Sequence, residues 1–540
     1  MFYSHTRQLG AQPGVQLNPV QDNTEGFAPD QGDQTIALVG RFKRGRIDAA
    51  FKVDRGTLRE RLGAPESLRV SALNEAYVHA YEAANNGAIE DVVVRLSTPA
   101  AVNSYAVFSI TGSTWKFAAS ATAPTTGYVF YLRDLECYND GVKIEVNGVE
   151  KYDANNQRVA TDMVTVRVRQ PDGTIRVEAT GSLDHTAIDD YGQDAYIGTL
   201  IAAQLDSIEL TSVSTALIPV AADFYGKNAD GTEKLASTGD TPLILFQEGG
   251  TAYTADDYDR AVSMLETSPY DYGYGISAGT QAVALISKMA TMHIRANRQF
   301  IVDIPGGLTP EAADVFVSQL NCDTHYVQFY WAPLQTDDPV NGGKAVIGLS
   351  GYQAGLRCAR NAQANAYGLA PKNYPIAGKE WPLRRTGVRQ LCTPSDPQLN
   401  SLALAKINPV LFVRYNGGGK YAFTDSLTSA KVATSYRKLI TVAEMSSSID
   451  DMVVKYGRET LQLPMDLAIG RMERFLEDLF DAAGSSKWLV PSDNDALGEK
   501  GYVFQVARHK LRPADAYVVT YGLHYDGVAR AIFVTQTISR

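Results

Sequence analysis

The sequence predicts a multidomain protein of mixed α+β and α/β class, and three observations support this prediction. The chain has 540 residues, more than a single compact core usually holds. Short apolar runs alternate with helical patterns in 23–100 and 236–395, as in α/β layers, whereas turn-separated β runs fill 101–235. No regular period holds across the proline- and glycine-rich first 33 residues, which predicts an extended arm or linker, and the arm is assigned to 1–22.

Residues 23–100 are predicted to supply a strand, a helix and a second strand to a mixed sheet. The apolar runs 36–39 and 92–96 are the two strands. The segment between them has one apolar helical face, and Asn85, Asn86 and Gly87 then form a stop signal. That face contains Leu73, Ala76, Tyr77, Ala80 and Tyr81.

Residues 101–235 are predicted to form an inserted β-sandwich or barrel. Turn dipeptides at 140–141, 147–148 and 172–173 separate short β runs, which is typical of antiparallel pairs. Residues 236–395 then return to an α/β layer, because the apolar runs 243–246, 300–304 and 326–331 alternate with helices. The clearest of these helices has a buried face made of Ala282, Leu285, Ile286, Met289 and Ala290.

Residues 396–526 are predicted to be a C-terminal core domain with two long helices. The first covers about 437–458, and the second begins at Pro464 and ends at Gly484. The apolar stripe of the second helix consists of Ala468, Met472, Phe475, Leu476, Leu479 and Phe480. Its outer face is a solvated surface or a charged contact face, and it carries Arg471, Glu473, Arg474, Glu477 and Asp478.

The end of the sequence predicts a hairpin. Runs 517–525 and 528–538 flank Asp526-Gly527, a dipeptide that favours tight turns. The last strand, within 527–540, has apolar residues on both faces, so it needs cover from its own chain or from a neighbour. One face carries Ile532, Val534 and Ile538, and the other carries Ala529, Ala531 and Phe533.

Composition and charge exclude several classes of protein. The net charge of -10 and the pI of about 5.3 repel polyanions, so nucleic acid is not an expected partner. No apolar stretch approaches the roughly 18–20 residues that cross a bilayer, and no secretory leader is recognisable, so we expect synthesis and assembly in a cytoplasm. Four scattered cysteines predict neither disulfides nor a zinc site, and no cofactor is expected.

One pattern is compatible with a serine hydrolase. Residues 275–279 fit the GxSxG motif around Ser277, and a helix follows. The motif also requires a buried strand before the serine, whereas 269–274 is interpreted as a turn. A triad would need Asp303 and His325. Catalysis at Ser277 therefore stays an alternative to a glycine-rich entry into a helix.

Two weaker patterns suggest ligand sites. Cys322, Asp323 and His325 could form half of a metal site, but no second half follows, so a loop before a buried strand is favoured. The run at 417–420 has the composition of a phosphate loop without its spacing, and a hairpin turn is favoured there.

Four strings occur in order along residues 13–480. The first is Pro13-Gly14-Val15, and the second is the block 37–96, with LVGRF near its start and VVVRL at its end. The third is PGG at 305–307, followed by HYVQFYWAP at 325–333 and GLSGYQAGLRCAR at 348–360. The fourth is INP at 407–409 with the turn at 417–421. Together they resemble the tail sheath proteins of contractile phages, which are related to tailocin and contractile injection system sheaths. Two strings depart from that family: NGA at 86–88 stands in place of NGG, and TDS at 424–426 replaces a glycine before Arg-Thr.

The resemblance implies a fold and a structural role. The fold would comprise a C-terminal mixed-sheet core domain completed by the N-terminal segment, a subtilisin-like α/β middle domain and the β insertion, which would face outward. The protein would be a virion tail component and not an enzyme. It would polymerise helically in sixfold rings around the tail tube, then contract to drive the tube through the host envelope. The partners implied are other sheath subunits, the tail tube protein, and the baseplate and tail terminator proteins, with no nucleic acid and no direct membrane insertion. A capsid or tube protein is a further alternative.

The resemblance also implies where subunits meet. Sheath subunits exchange terminal strands by β-augmentation. The residues expected to take part are Pro13, Gly14, Val15, Leu17, Val528, Ile532, Phe533, Val534 and Ile538. The charged face of the helix over 465–483, or that of 437–458, would contact the tube.

Overall fold

The computed structural model describes residues 31–139, 141–222, 224–225, 244–494 and 497–536. Pro13, Gly14, Val15, Leu17 and Ile538 lie outside the described residues, so their expected part in strand exchange stays a prediction.

The first part of the chain builds one side of an α/β body, which we define as residues 31–96 and 244–439. A 3-10 turn, Gln31–Gln34, leads into the first strand. The elements are β1 (Thr35–Gly40), β2 (Phe51–Val53), α1 (Leu58–Leu62), a 3-10 turn (Ala72–Asn74), α2 (Glu75–Asn86) and β3 (Glu90–Arg95). The predicted strand, helix and strand are present as β1, α2 and β3, and the structure adds β2 and α1 between β1 and α2.

The insertion is antiparallel and β-rich, as predicted, but it also contains a helix. Its elements are β4 (Val102–Asn103), β5 (Tyr105–Thr111), β6 (Thr114–Ser120), β7 (Phe130–Asp134), β8 (Lys143–Gly148), β9 (Lys151–Tyr152), β10 (Arg158–Val159), β11 (Met163–Arg169), β12 (Ile175–Ser182), α3 (Ile197–Gln204) and β13 (Ile208–Ser212). Sheets β13-β7-β5-β6 and β12-β11-β8 share one apolar core with α3. The arrangement is sandwich-like, since two sheets enclose a common core.

The chain then returns to the body. The elements are β14 (Phe246–Gln247), α4 (Ala255–Glu266), β15 (Tyr274–Ile276), α5 (Val283–Arg295), β16 (Gln299–Ile304), α6 (Pro310–Leu320), β17 (Val327–Trp331), β18 (Leu334–Asp337), β19 (Lys344–Ala345), α7 (Ser350–Asn361), β20 (Arg389–Gln390), α8 (Asp396–Leu404), β21 (Ile407–Tyr415) and β22 (Gly418–Phe423). The turn between β21 and β22 is the hairpin expected for the glycine run at 417–419.

The body is organised around an eight-stranded mixed sheet with the order β2-β3-β1-β15-β16-β17-β21-β22. Pairing is parallel from β3 to β21 and antiparallel at both edges. Alternate residues of β1 enter opposite cores, one formed with α2 and α7 and the other with α4, α5, α6 and α8. The sheet is thus covered by helices on both faces, which explains why its central strands are fully buried and mostly apolar.

This topology corrects the expected division into domains. The N-terminal strand β1 pairs directly with β15, so the N-terminal segment completes the middle α/β layer and not the C-terminal domain. Strands β21 and β22, which were assigned to the C-terminal domain, also belong to this sheet. The physical reason is that fully buried parallel strands need neighbours on both edges, and β1 fills the place beside β15.

Helices α2 and α7 cross at very short range. A Cβ atom on Gly355 would lie 2.7 Å from the carbonyl oxygen of Ala83, and one on Gly351 would collide with the carbonyl oxygen of His79. Only glycine permits this approach of two backbones.

The C-terminal module, residues 440–525, has its own apolar core. Its elements, after a 3-10 turn (Tyr436–Lys438), are α9 (Ile440–Glu459), α10 (Met465–Ser485), β23 (Tyr502–Arg508) and β24 (Tyr517–Leu523). Pro464 stands directly before α10 as predicted, and the expected apolar stripe is buried at Ala468, Met472, Leu476, Leu479 and Phe480.

The hairpin predicted around Asp526-Gly527 is wrong. Strand β24 pairs in antiparallel fashion with β23, not with the residues after Gly527. Aromatic residues of this hairpin, among them Phe504 and Tyr521, pack against Phe480 of α10. That packing outweighs the local turn preference of Asp-Gly, and residues 528–536 form neither helix nor strand.

Candidate assembly surfaces and buried polar sites

The C-terminal tail, which we define as residues 526–536, is attached over its first residues and exposed beyond Arg530. The Asp526 main-chain N–H donates to the carbonyl oxygen of Trp488 at 3.1 Å. Arg530 donates from Nε to Asp425 Oδ1 at 2.8 Å and from Nη2 to Oδ2 at 2.6 Å. After that anchor, Ile532, Phe533 and Val534 are 83%, 95% and 87% exposed. Of the residues expected in strand exchange, these three lie open to a partner, whereas Val528 is half-buried.

The β23–β24 hairpin offers a surface for strand addition. Among the described residues, β23 and β24 pair only with each other. The outer edge of each strand therefore carries main-chain N–H and C=O groups that are not paired with a further strand. Its inner face packs on α10, while Val503 and Val518 on its outer face are exposed. A two-stranded sheet of this kind is marginally stable alone, and further strands would stabilise it.

The two helix faces considered for tube contact differ in exposure. All five charged residues predicted on α10, from Arg471 to Asp478, are exposed. On α9, in contrast, Asp451 pairs with Arg298, and Lys455 Nζ lies 3.0 Å from Asp271 Oδ2 of the body. These charged side chains of α9 are therefore paired with residues of the same chain, whereas the charged face of α10 is exposed and can contact a partner.

Helix α9 meets the body through a buried ionic contact, which we call the seam. Its centre is Glu444, whose two oxygens each accept from Arg360 at 3.0 Å and whose Oε1 also accepts from the Tyr274 hydroxyl at 2.8 Å. Both charged side chains are at most 2% exposed. Burial alone would raise the pKa of Glu444, but Arg360 and Arg357 outweigh it and lower that pKa to about 2.

The seam continues as a chain of hydrogen bonds along α9. Ser447 Oγ accepts from Gln299 Nε2 at 2.9 Å, and Gln299 Oε1 accepts from Gln328 Nε2 at 2.8 Å. Gln328 in turn accepts from Arg357 at 2.6 Å. Tyr274 of β15 and Gln299 of β16 therefore contact α9 through polar groups, and Ile440 at the start of α9 adds an apolar contact with the core of the body.

Ser277 lies in a strand-turn-helix unit, which corrects the expected turn before it. Strand β15 directly precedes the serine in the centre of the sheet, and Ala278 adopts a φ of 52°. Yet Ser277 is fully buried. Its hydroxyl donates to Asp303 Oδ2 at 3.2 Å and accepts from the Asp303 main-chain N–H at 2.8 Å. His325, the expected base, packs instead against Tyr326.

A second polar cluster, which the sequence did not predict, surrounds the same aspartate. His79 Nε2 lies 3.5 Å from Asp303 Oδ2 and 3.2 Å from Glu75 Oε1, and His79 Nδ1 lies 3.3 Å from Ser350 Oγ. Burial alone would lower the pKa of His79, but the charges of Asp303 and Glu75 raise it. No local spacing could reveal the cluster, because Ser350 and His79 are 271 residues apart.

The Asp303, His79 and Ser350 arrangement has the composition of a catalytic triad but the geometry of a helix cap. Asp303 Oδ1 accepts the main-chain N–H groups of Leu349 and Ser350 at 2.6 and 2.8 Å, at the start of α7. His79 Nδ1 also accepts the Gly351 N–H at 3.1 Å, which occupies the lone pair that a general base needs. His79 and Ser350 are fully buried, so a substrate has no access to them in this conformation.

The proposed metal half-site is used internally. Asp323 accepts the main-chain N–H of Lys431 at 2.8 Å, and the Cys322 thiol contacts the carbonyl oxygen of Leu320 at 3.5 Å. In the part of the chain that the structure describes, no group of three or more potential ligands converges on a metal position. None of the helices described there is both long enough and apolar enough to cross a membrane.

The comparisons with known proteins gave structural matches only. Neither a family model nor a curated protein matches the chain. A sheath tail protein from Desulfitobacterium hafniense matches with a TM-score of 0.47 and 13% identity, over 94% of this chain and 100% of the other. The contracted baseplate of the anti-feeding prophage matches with a TM-score of 0.48 and 10% identity, over 98% and 99%. The sheath complex of the extracellular contractile injection system PVC, in its contracted state, matches with a TM-score of 0.40 and 15% identity, over 51% and 74%.

Proposed function

We propose that this chain is a structural subunit of a contractile tail sheath. The observation that carries the proposal is the exposed apolar run Ile532-Phe533-Val534 beyond the Arg530–Asp425 anchor. Three adjacent large apolar side chains in water are unfavourable, because burying each contributes roughly 1.5–3 kcal/mol. An anchored, extended and apolar segment is suited to a neighbouring subunit, and the ordered sequence strings described above support the same function.

Assembly would proceed by strand exchange. The tail of one subunit would add to an open edge of the β23–β24 hairpin of another, with the N-terminal arm adding as a further strand. Such head-to-tail contacts do not close on themselves, so they generate open helical filaments or stacked rings. Val503 and Val518 would supply the apolar outer surface of the augmented sheet.

Contraction would be a shift between two packings of the same linked subunits. Each exchanged strand retains several main-chain hydrogen bonds, at about 0.5–1.5 kcal/mol net apiece, so the links survive a rigid-body rearrangement. The exposed charged face of α10 would contact the tail tube in the extended state. The remaining partners are the baseplate and tail terminator proteins, and the complete assembly belongs to a virion tail formed in the host cytoplasm.

A serine hydrolase is the rival function, and the surroundings of Ser277 disfavour it. Its hydroxyl is buried and engaged on both sides by Asp303. The expected result is that a fluorophosphonate probe labels neither Ser277 nor Ser350 in the folded chain. Labelling of either serine would support the rival.

The test is assembly of the purified chain, observed by negative-stain electron microscopy at rising concentration. We expect tubes from the full chain and none from a triple variant with Ile532→Ser, Phe533→Ser and Val534→Ser. A matched control is Tyr191→Ser, because Tyr191 is 89% exposed but lies in the insertion. This control should assemble normally. A monodisperse monomer from the unaltered chain, or tubes from the triple variant, would contradict the proposal.

A further inference from the structure

The root of the N-terminal arm is attached to α9 by a buried ammonium group. Lys372 Nζ lies 2.5 Å from Asp33 Oδ2 and donates to Ser448 Oγ of α9 at 2.9 Å. The Lys372 side chain is 3% exposed, whereas that of Asp33 is 24% exposed. One lysine therefore contacts both the last turn before β1 and the helix that carries the C-terminal module.

A second contact holds the main chain at the same point. Asn361 Nδ2 donates to the Asp33 carbonyl oxygen at 3.0 Å and to the Tyr274 hydroxyl at 2.8 Å. Tyr274 in turn donates to Glu444, the centre of the seam. The arm root and the seam thus belong to one connected network.

The charges make the position of Asp33 and the position of α9 depend on each other. Leaving a buried ammonium group without a compensating carboxylate is strongly destabilising. If Asp33 withdrew, Lys372 would remain buried beside Ser448 without that partner. Burial raises the pKa of Glu444, and the charges of Arg360 and Arg357 lower it. The charge of Lys372 lowers that pKa as well, by less than the two arginines do, so the carboxylate at the centre of the seam depends on where the Lys372 ammonium group lies.

We propose that Lys372 is a positioning residue that couples the N-terminal arm to the seam. While Asp33 is in place, Lys372 fixes where the arm leaves the body and holds the first half of α9 against the sheet. A pull on the arm that removes Asp33 loosens α9. This inference rests on the proposed function only in assigning the residues before Gln31 to an exchanged arm, since the ion pair is a property of the single chain.

Hydrogen exchange of the unassembled chain, followed by mass spectrometry, tests the coupling. The variants are Asp33→Asn, Lys372→Met and the double variant. We expect Asp33→Asn to accelerate exchange in 440–451 by about tenfold, because Lys372 is left without its paired carboxylate. The double variant should return to within about threefold of the original rate, because it removes the uncompensated charge as well.

A control variant separates the loss of Lys372 from the loss of a lysine in general. Lys344→Met removes a pair with Asp337 in which both side chains are more than 40% exposed, and it should leave exchange in 440–451 unchanged. Equal acceleration in Asp33→Asn and the double variant, or no acceleration in either, would overturn the coupling.

The assembly assay keeps this inference separate from the proposed function. If the original chain forms tubes, Asp33→Asn should form fewer, and normal tube growth by this variant would overturn the arm-positioning role. If the original chain forms none, the proposed function fails, and the exchange measurement alone decides whether Lys372 couples Asp33 to α9.

Discussion

The contact between α2 and α7 and the seam of α9 are two buried interfaces of different kinds. In the first, backbones touch at Gly351 and Gly355, and the nearby polar groups serve as caps. In the second, charged and amide side chains meet, with Glu444 at the centre. A contact defined by backbone shape cannot slide without unfolding, whereas a polar contact between units can separate and re-form, as interfaces between domains commonly do. The first interface therefore depends on the close fit of two backbones, and the second depends on the pairing of buried charges.

Breaking the backbone contact should have the largest effect. In Gly351→Val the added side chain collides with the carbonyl oxygen of His79, which no rotamer change can relieve. We expect a loss of about 5 kcal/mol or more in the free energy of unfolding, seen as little soluble protein and a collapsed denaturation midpoint.

Glycine positions in α10 provide the control for this substitution. A Cβ on Gly484 meets no atom within 4 Å, so Gly484→Ala should be neutral or slightly stabilising. Equal stability of the Gly351 and Gly484 variants would show that the α2–α7 contact can relax.

Glu444→Gln tests the seam, with a smaller effect. It leaves Arg360 buried without a countercharge, and we expect a loss of about 3 kcal/mol, measured by urea unfolding at pH 7. Because the folded pKa of about 2 lies below the reference value of 4.5, the carboxylate contributes stability above about pH 4.5. That contribution is lost as the pH falls towards 2, so the two proteins should converge over this window. A constant difference down to pH 2 would contradict the assignment.

Ser277→Ala tests a buried polar contact that lies inside the body and away from the seam. It removes an acceptor of the Asp303 N–H and a donor to its carboxylate, and we expect a loss of about 1–3 kcal/mol from thermal unfolding. The seam should be unaffected, so exchange in 440–451 should stay at the original rate. Faster exchange there would mean that the two interfaces are not independent.

Charge reversal on α10 should have the smallest effect on stability. Arg471→Glu with Arg474→Glu changes two exposed side chains, so the free energy of unfolding should stay within about 0.5 kcal/mol per site. If the proposed tube contact of α10 is correct, attachment to the tail tube protein should be lost in co-assembly, as seen by electron microscopy. A substantial drop in stability would show that this face is not a free surface.

The sequence predicted elements whose cause is local. The apolar stripe of α10 and the strand runs of the body are periodic, so they could be identified without knowing their partners. The Asp526-Gly527 hairpin failed because a local turn preference was outweighed by packing of Tyr521 on Phe480, which is distant in sequence. The His79 and Asp303 cluster and the Glu444 pairing could not be predicted, since each joins isolated residues from separate elements. The terminal residues expected to exchange were predicted from a resemblance, and only the apolar exposure of 532–534 bears on them here.

The ion pair of Arg530 with Asp425 also limits how far the C-terminal tail can reach. From Arg530, residues 531–534 can extend at most about 13 Å, at about 3.3 Å per residue. If the tail joins neighbours through Ile532, Phe533 and Val534, the receiving edge must lie within that distance of residue 530. In that case the side chain of residue 530 limits the spacing of adjacent subunits, and moving the anchor by one residue would change the lattice repeat and not only its strength.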